Sequence, residues 1–202
     1  MNRQELYLDR RLLRTKKSLK RALLSQLKYK PYNEITVTDL VKNAKVTRAS
    51  FYNHYTTKDH LLDTLLLEKN QELIQAYKEP ILKHKPFTLN RLSASDVKLF
   101  NYIFDNADFY TTILNSDITL VAENQMFDSI RKINIEVLRV KDRVIKTDFI
   151  ASYLSYAMVG LIKEWVREGY KYDPEFMSEQ LLELMRVSPY KTFHIKLSQK
   201  KN

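Results

Sequence analysis

The sequence predicts an all-helical protein, and three of its features support that fold class. The 202 residues contain only 2 Gly and 5 Pro, too few for the tight turns that β-hairpins and barrels need. Apolar residues make up 44% of the chain, and along most of it they recur at helical spacing. A chain of this length can bury a sizeable core, so it can form one large domain or two small ones.

The first two helices are predicted from their apolar spacing and their end signals. Leucines and alanines three, four and seven apart predict a helix over residues 10–29, which Pro31 ends. Thr36 is then a predicted N-cap, and Asp39 places a carboxylate near the positive end of the following helix. We expect this short second helix to span residues 37–44.

A third short helix is predicted to follow the second after a tight connection. Thr47 is its predicted N-cap, and we expect it to reach about His54. Two short helices joined by so short a turn predict a helix-turn-helix. A longer fourth helix is expected over residues 59–79, with its cap at Thr56-Thr57 and its end before Pro80.

The remaining chain is predicted to form further helices without strands. Residues 80–93 are expected to be a connector, RVKDR at 139–143 a charged turn, and Gly169 the left-handed stop of a helix. Asp173-Pro174 is typical of a helix start. The predicted helices span about residues 93–106, 108–116, 117–138, 146–168 and 174–187.

Excess positive charge is confined to the first 58 residues. This segment has 14 Lys and Arg against 4 Asp and Glu, whereas residues 59–202 have 20 of each, so the whole net charge of +10 lies in the first segment. A basic segment joined to an electroneutral one suggests that the first contacts a polyanion. A merely solvated charged face is the alternative until a motif is found.

Composition alone excludes several classes of protein. The chain has no cysteine, which excludes disulfides, thiolate metal sites and thiol nucleophiles and suits a reducing compartment. The longest stretch without a charge, residues 149–162, is shorter than the about 20 apolar residues that span a bilayer. The charged first residues are unlike a signal peptide, so we expect a cytoplasmic protein with no membrane partner.

One segment carries a recognisable motif. Residues 35–62, ITVTDLVKNAKVTRASFYNHYTTKDHLL, combine a threonine-rich cap, a short helix, a turn, the run FYNHY and Lys58 ahead of a leucine-bearing helix. This pattern resembles the helix-turn-helix of the TetR family of bacterial transcriptional regulators, and the resemblance covers residues 10–65. Lys45 departs from it, because the family usually has glycine at that turn.

The resemblance extends more weakly into the second part of the chain. FYTTIL at 109–114 and the segment at 153–170 are similar to a C-terminal regulatory domain of some members. The resemblance therefore implies an N-terminal three-helix DNA-binding domain followed by a helical regulatory and dimerisation domain.

The residue types of the third helix suit DNA recognition. A recognition helix buries one face on its own domain and presents polar side chains on the other, and Phe51 and Tyr55 are spaced to point inward. Arg48 can bond guanine O6 and N7, although it can equally bind phosphate. We expect Lys58 to bind a phosphate together with the first N–H groups of its helix. The predicted DNA contacts are Thr38, from the resemblance, and Thr47, Arg48, Ser50, Tyr52, His54 and Lys58.

The predicted helix at 146–168 is apolar on two sides, so it must be covered on two sides. One side can pack on its own domain, and the small Ala157 and Gly160 would let a partner helix approach the other. We therefore expect a homodimer interface from this helix and the one at 174–187, with burial inside a monomer as the alternative. The predicted interface residues are Tyr153, Ala157, Gly160, Leu161, Trp165, Leu181 and Met185.

The second domain has no catalytic or metal-binding pattern. His60, His84 and His194 lie far apart in the sequence, and the glycines of phosphate-binding loops are missing, so no metal or cofactor is expected. The resemblance implies a cavity for a small apolar or aromatic effector, with ordinary core packing as the alternative. The residues expected to line it are Phe104, Tyr110, Phe127 and Tyr156.

Together these patterns predict a regulator and not an enzyme. We expect a DNA-binding domain over residues 1–58, a ligand-binding and dimerisation domain over 59–187 and a basic tail over 188–202. The predicted function is repression by a homodimer on a palindromic operator in double-stranded DNA, released by a small-molecule effector. The alternatives are a non-specific architectural DNA-binding protein, whose affinity would depend on salt but not on sequence, and a small helical enzyme.

Overall fold

The computed structural model describes residues 3–83, 92–137, 139–140, 145–187 and 193–194. Nine α-helices account for most of this part of the chain, which confirms the all-helical prediction. They are α1 (Arg3–Leu27), α2 (Val37–Ala44), α3 (Arg48–Tyr52), α4 (Lys58–Lys83), α5 (Leu99–Asp105), α6 (Ala107–Leu114), α7 (Thr119–Val137), α8 (Thr147–Arg167) and α9 (Pro174–Val187). None of the helices within these ranges is long and apolar enough to cross a membrane.

Shorter elements complete the described part. Two 3-10 turns lie at Tyr32–Glu34 and Ala94–Asp96. Two-residue strands, β1 (Arg139–Val140) and β2 (Phe193–His194), pair antiparallel, so part of the predicted charged turn is extended instead. Of the predicted tail at 188–202, Phe193 and His194 are the residues that lie within the described ranges.

Local side-chain caps explain where the first helices begin. The Thr36 hydroxyl accepts from the Asp39 N–H (3.1 Å), and the Asp39 carboxylate accepts from the Thr36 N–H (3.0 Å), a capping box. Thr47 accepts from the Ser50 N–H at 3.1 Å, and Thr57 accepts from the N–H three residues later at 3.0 Å. The caps predicted at the starts of α2, α3 and α4 are therefore confirmed.

Four predicted helix boundaries are wrong. The helix α1 begins at Arg3, seven residues before the predicted start at residue 10. The helix α3 ends at Tyr52, short of His54. Pro80 does not end α4, which continues to Lys83; Pro80 and Ile81 are both buried there, and this packing offsets the lost backbone bond. The helix predicted over 93–106 is divided, because Ser93 caps only a 3-10 turn before α5 begins.

Helix α4 connects two ends of one core. At the amino-terminal end α4 packs on α1, and we call residues 12–62 the head. Farther along, α4 packs on α5 and α7, while α7 packs lengthwise on α8. The fully buried large side chains lie at both ends: Leu19, Leu23, Leu40, Phe51, Tyr55 and Leu61 in the head, and Leu73, Leu99, Phe100, Ile103 and Ile113 beyond it.

Candidate nucleic-acid interface

The turn between α2 and α3 has a defined geometry despite its lysine. Lys45 adopts φ 55° and ψ 45°, in the left-handed region. The Val46 N–H donates to the Val41 carbonyl (3.0 Å), and the Lys45 N–H donates to the Lys42 carbonyl (3.3 Å), which is a Schellman arrangement. The turn therefore holds its shape at a cost of about 1 kcal/mol for the side chain at Lys45.

Helix α3 separates an apolar face from a polar one, as the spacing predicts. Phe51 and Tyr55 are buried in the head, and their rings lie 5.9 Å apart. Tyr52, on the other side, is 50% exposed and packs edge-on against Phe51. Of the other predicted contacts, Thr38, Thr47 and Arg48 are exposed, and Ser50 and His54 are half-buried.

A polar groove runs between α1 and the helix-turn-helix. Its walls are Arg14, Thr15, Ser18, Ala44, Lys45, Val46, Thr47 and Ser50. Within the described part of the chain, the two cations of its walls, Arg14 and Lys45, form no ion pair. The same holds for several cations within two residues of the walls in the sequence, namely Lys16, Lys17, Lys42 and Arg48. We call this surface the basic groove. Cations that no carboxylate neutralises are available to phosphates.

Sequence reasoning missed Ser18, Lys42 and Lys45 as parts of this surface. They come from α1, α2 and the turn, and only the packing of α1 on α2 brings them together. The excess of positive charge in the first 58 residues indicated that this segment contacts a polyanion, but it does not indicate which residues form the surface.

Among the titratable groups of the head, His54 and Asp39 have lowered pKa values. Burial, followed by the charge of Lys16, lowers the pKa of His54 from its ordinary value, which favours the neutral imidazole. The hydrogen bond from Lys30 (2.8 Å) and those from Thr36 lower the pKa of Asp39 to about 2. The carboxylate that caps α2 is therefore charged under all ordinary conditions.

Lys58 does not lie where the sequence predicts. Its Nζ donates to the carbonyl oxygens of Tyr32 (2.9 Å), Asn33 (3.1 Å) and Ile35 (2.9 Å) and lies 4.5 Å from the Tyr32 ring centroid. The Lys58 ammonium, which was expected to bind a phosphate, thus already donates its hydrogen bonds to three backbone carbonyl groups. Lys58 fixes the connection between α1 and α2, and we leave it out of the DNA contacts.

The predicted interface residues fall into three groups. Tyr153 (64% exposed), Ala157 and Gly160 are exposed on α8. Leu161, Leu181 and Met185 are half-buried within the protomer. Trp165 is a correction: it is 2% exposed, and its Nε1 donates to the Tyr172 carbonyl (2.8 Å), so it packs in its own core and is not available to a partner.

The residues predicted to line an effector cavity do not converge, which corrects that prediction. Tyr110 is buried and lines a space of only about 20 Å³. Phe104 is 47% exposed and packs on Trp165 and Tyr170 from outside. Phe127 and the exposed Tyr156 stack on each other at 3.9 Å. The helical spacing of aromatic residues therefore identified side chains that contact other rings, and it did not identify the lining of one cavity.

The described residues hold no group of three or more His, Asp or Glu side chains that could bind a metal ion, and His84 lies outside them.

The head contacts the rest of the described chain through α4, through the packing of α1 on α6 and through two polar contacts. The Asp117 carboxylate accepts from the Tyr32 N–H at 2.9 and 3.0 Å, and Lys28 forms an ion pair with Asp108. The loop after α1 is therefore held by the turn between α6 and α7.

Comparison with known families places the motif in context. Residues 21–65 match the family described as "Bacterial regulatory proteins, tetR family". Residues 90–187 match a second description, "Transcriptional regulator C-terminal region". Together the two matches cover the helix-turn-helix and most of the helical second part.

Individual relatives agree with these matches. An uncharacterised HTH-type transcriptional regulator of Bacillus subtilis, YxbF, is 25% identical over 197 residues, which are 93% of this chain and 49% of that protein. The chain thus spans about half the length of this relative. Two solved structures share the fold: the dihydroxyacetone kinase operon activator DhaS (TM-score 0.60, 19% identity, 89% of this chain and 98% of that one) and a TetR regulator from Streptococcus agalactiae 2603V (TM-score 0.58, 21% identity, 89% and 98%).

Proposed function

Because the chain belongs to the TetR family of DNA-binding bacterial transcriptional regulators, we propose that it acts as a homodimeric repressor of a palindromic operator and that a small effector releases it. The observation that carries the proposal is the pairing of an exposed polar recognition helix, bordered by the basic groove, with an uncovered apolar face on α8. The first suits one half-site, and the second suits a second copy of the chain.

The DNA contacts divide by chemistry. Arg48 is exposed near the start of α3, and its guanidinium can read guanine in the major groove. Tyr52 and His54 present polar tips beside it. Thr38, Thr47 and Ser50 bond phosphates, and Arg14, Lys42 and Lys45 add the charge that positions the head. The domain assignment of 1–58 for DNA and 59–187 for regulation and dimerisation belongs to the same proposal.

The proposed dimer face is the side of α8 that carries exposed aromatic side chains. Phe149 (70%), Tyr153 (64%) and Tyr156 (63%) lie one helical turn apart on α8, so their rings form one apolar stripe. Gly160 continues the stripe with nothing within 4 Å of the position a Cβ would take. Clustered exposed aromatic residues are unusual on a monomer and typical of an interface. Leu184, 62% exposed on α9, is the candidate contact from the neighbouring helix.

Release of DNA requires the second domain to move the head. Helix α4 begins in the head and ends beside α5, α7 and α9. The Asp117 carboxylate, which lies between α6 and α7, accepts a hydrogen bond from the Tyr32 N–H and forms a second link to the head. An effector that binds one spacing of the two heads better than the other would shift the population between them.

The test is selection of genomic fragments by the purified protein at physiological salt, followed by sequencing of what is retained. We expect a few sites that share an inverted repeat. A double variant, Tyr52→Phe with His54→Ala, should lose these sites while it keeps the same thermal unfolding midpoint and oligomeric state. Equal retention of all fragments would contradict the proposal and favour non-specific architectural binding.

A further inference from the structure

A cavity of about 70 Å³ lies between the end of α4 and helices α5, α7, α8 and α9, away from the residues that the sequence suggested. We call it the α4–α9 cavity. Its described lining includes Tyr77, Leu99, Asn134, Met158, Leu181 and Met185. Protein interiors rarely leave voids larger than one water, and this one has room for about five.

The walls are apolar except at one point. Tyr77 and Asn134 are the polar side chains among the described lining residues, and the Tyr77 hydroxyl donates to Asn134 Oδ1 (2.8 Å). Asn134 Nδ2 donates to the Ser155 hydroxyl (3.0 Å), which donates to the Ala151 carbonyl (2.6 Å). This buried chain fixes the Tyr77 oxygen and leaves it able to accept one more hydrogen bond.

The polar pair of Tyr77 and Asn134 carries no charge. Burial raises the pKa of Tyr77 to about 12, so its hydroxyl keeps its proton. No lysine, arginine, histidine or carboxylate occurs among the described lining residues. Arg186 reaches the wall at Leu92, but its two terminal nitrogens already bond the Leu92 carbonyl (2.8 Å) and Glu183 (2.7 Å). A buried carboxylate or ammonium would find no opposite charge here.

From this geometry we propose that the α4–α9 cavity binds a small, neutral, largely apolar molecule with one hydroxyl, which donates to the Tyr77 oxygen beside Asn134. Short-chain alcohols of about five non-hydrogen atoms have this chemistry and suit a cavity of this volume, whereas the matching carboxylates lack the chemistry. The inference rests on the proposed function, because a ligand here would be the effector. The site touches the end of α4, the helix that begins in the head.

The test uses the full chain with 13C-methyl methionine and 1-butanol as the probe. Met158 and Met185 line the cavity, while Met126 lines a different space and serves as an internal control. Saturable shifts of the first two signals, with Met126 unchanged, are expected. Butyrate at pH 8 should bind about tenfold or more weakly, because its charge must be desolvated without a partner.

Two variants assign the binding to the cavity. Tyr77→Phe should weaken butanol binding about five- to tenfold, whereas Tyr29→Phe, the same change at an 84% exposed ring, should change nothing. If Tyr77→Phe does not fold, Leu181→Phe fills the cavity from a half-buried position and should also abolish the methyl shifts.

The outcomes separate the site from the proposed function. No shift of Met158 and Met185, equal binding of butyrate, or unchanged affinity in both folded variants would overturn the inferred site. DNA retention is measured on the same samples with and without butanol. Shifts at the cavity without DNA release would keep the binding site and refute effector control.

Discussion

The head and the second domain share helical packing but differ in what they leave exposed. In the head, Phe51 and Tyr55 close the core, and the outer side of α3 carries polar groups. In the second domain, α8 packs on α7 with one side and exposes Phe149, Tyr153 and Tyr156 on another. The described head exposes no comparable stripe of aromatic side chains, whereas the second domain has an exposed apolar face and an internal cavity.

This difference explains how one chain can both read DNA and respond to a signal. A surface that reads base edges must be rigid and prearranged, because misplaced donors lose their discrimination. A regulatory domain must be able to adopt two arrangements, and incomplete packing leaves room for both.

The largest effect is expected from removing a ring in the head. Phe51→Ala should lower the free energy of unfolding by about 3–5 kcal/mol, because a fully buried ring leaves a cavity. Phe149→Ala, at a 70% exposed position, should leave the stability of the protomer within about 0.5 kcal/mol. Urea unfolding at low protein concentration measures both, and similar losses would remove the distinction between the regions.

The next effect concerns DNA affinity. Arg48→Ala should weaken operator binding by about 1–3 kcal/mol and relax specificity at one base pair, since Arg48 is the proposed guanine reader. Arg167→Ala removes an exposed arginine of the second domain and is the matched control. Competition binding at fixed salt measures both variants. An equal weakening on every sequence would reassign Arg48 to a phosphate.

A smaller gain is expected at Tyr55. Its hydroxyl is buried and finds no hydrogen-bond partner among the described residues, and burial raises its pKa to about 12. Tyr55→Phe removes this unsatisfied group and should stabilise the protein by up to about 1 kcal/mol. Thermal unfolding measures the change, and a clear loss of stability would mean that the hydroxyl has a partner in solution.

The smallest effect is a pH dependence at Asp39. Its folded pKa of about 2 lies below the ordinary 3.8, so its contribution to stability is present above about pH 4 and is lost as the pH falls toward 2. Asp39→Asn should therefore destabilise the head at pH 6, and its difference from the wild type should shrink below pH 4. Unfolding midpoints across this range are the measurement. A constant difference would show that the charge is not responsible.

Local signals in the sequence predicted the head better than the second domain. Thr36, Thr47 and Thr57 act on N–H groups within three residues, so their caps could be predicted from spacing alone. Lys58 could not, because its three carbonyl partners lie on the far side of a turn, more than twenty residues away. The position of Lys58 in a basic segment did not indicate that its ammonium group bonds backbone carbonyls.

In the second domain, helical spacing predicted that α8 has two apolar sides but not which side is buried. The prediction that Trp165 lies in the dimer interface is wrong, because its burial depends on Phe100 and Tyr170 from other elements. The α4–α9 cavity is formed by residues from Ala76 to Met185, which no local pattern connects. Pro80 likewise stays helical only because the surrounding core covers it.

The most direct test of the central claim is the affinity of Tyr153→Glu for an inverted repeat and for one half-site, with its mass measured by sedimentation. The substitution places a charge on the exposed stripe of α8 while the head is unchanged. We predict a monomer that binds the half-site as the wild-type head does and loses the added affinity for the full repeat. A variant that stays dimeric, or a monomer that keeps full affinity for the repeat, would contradict the division of roles between the two regions.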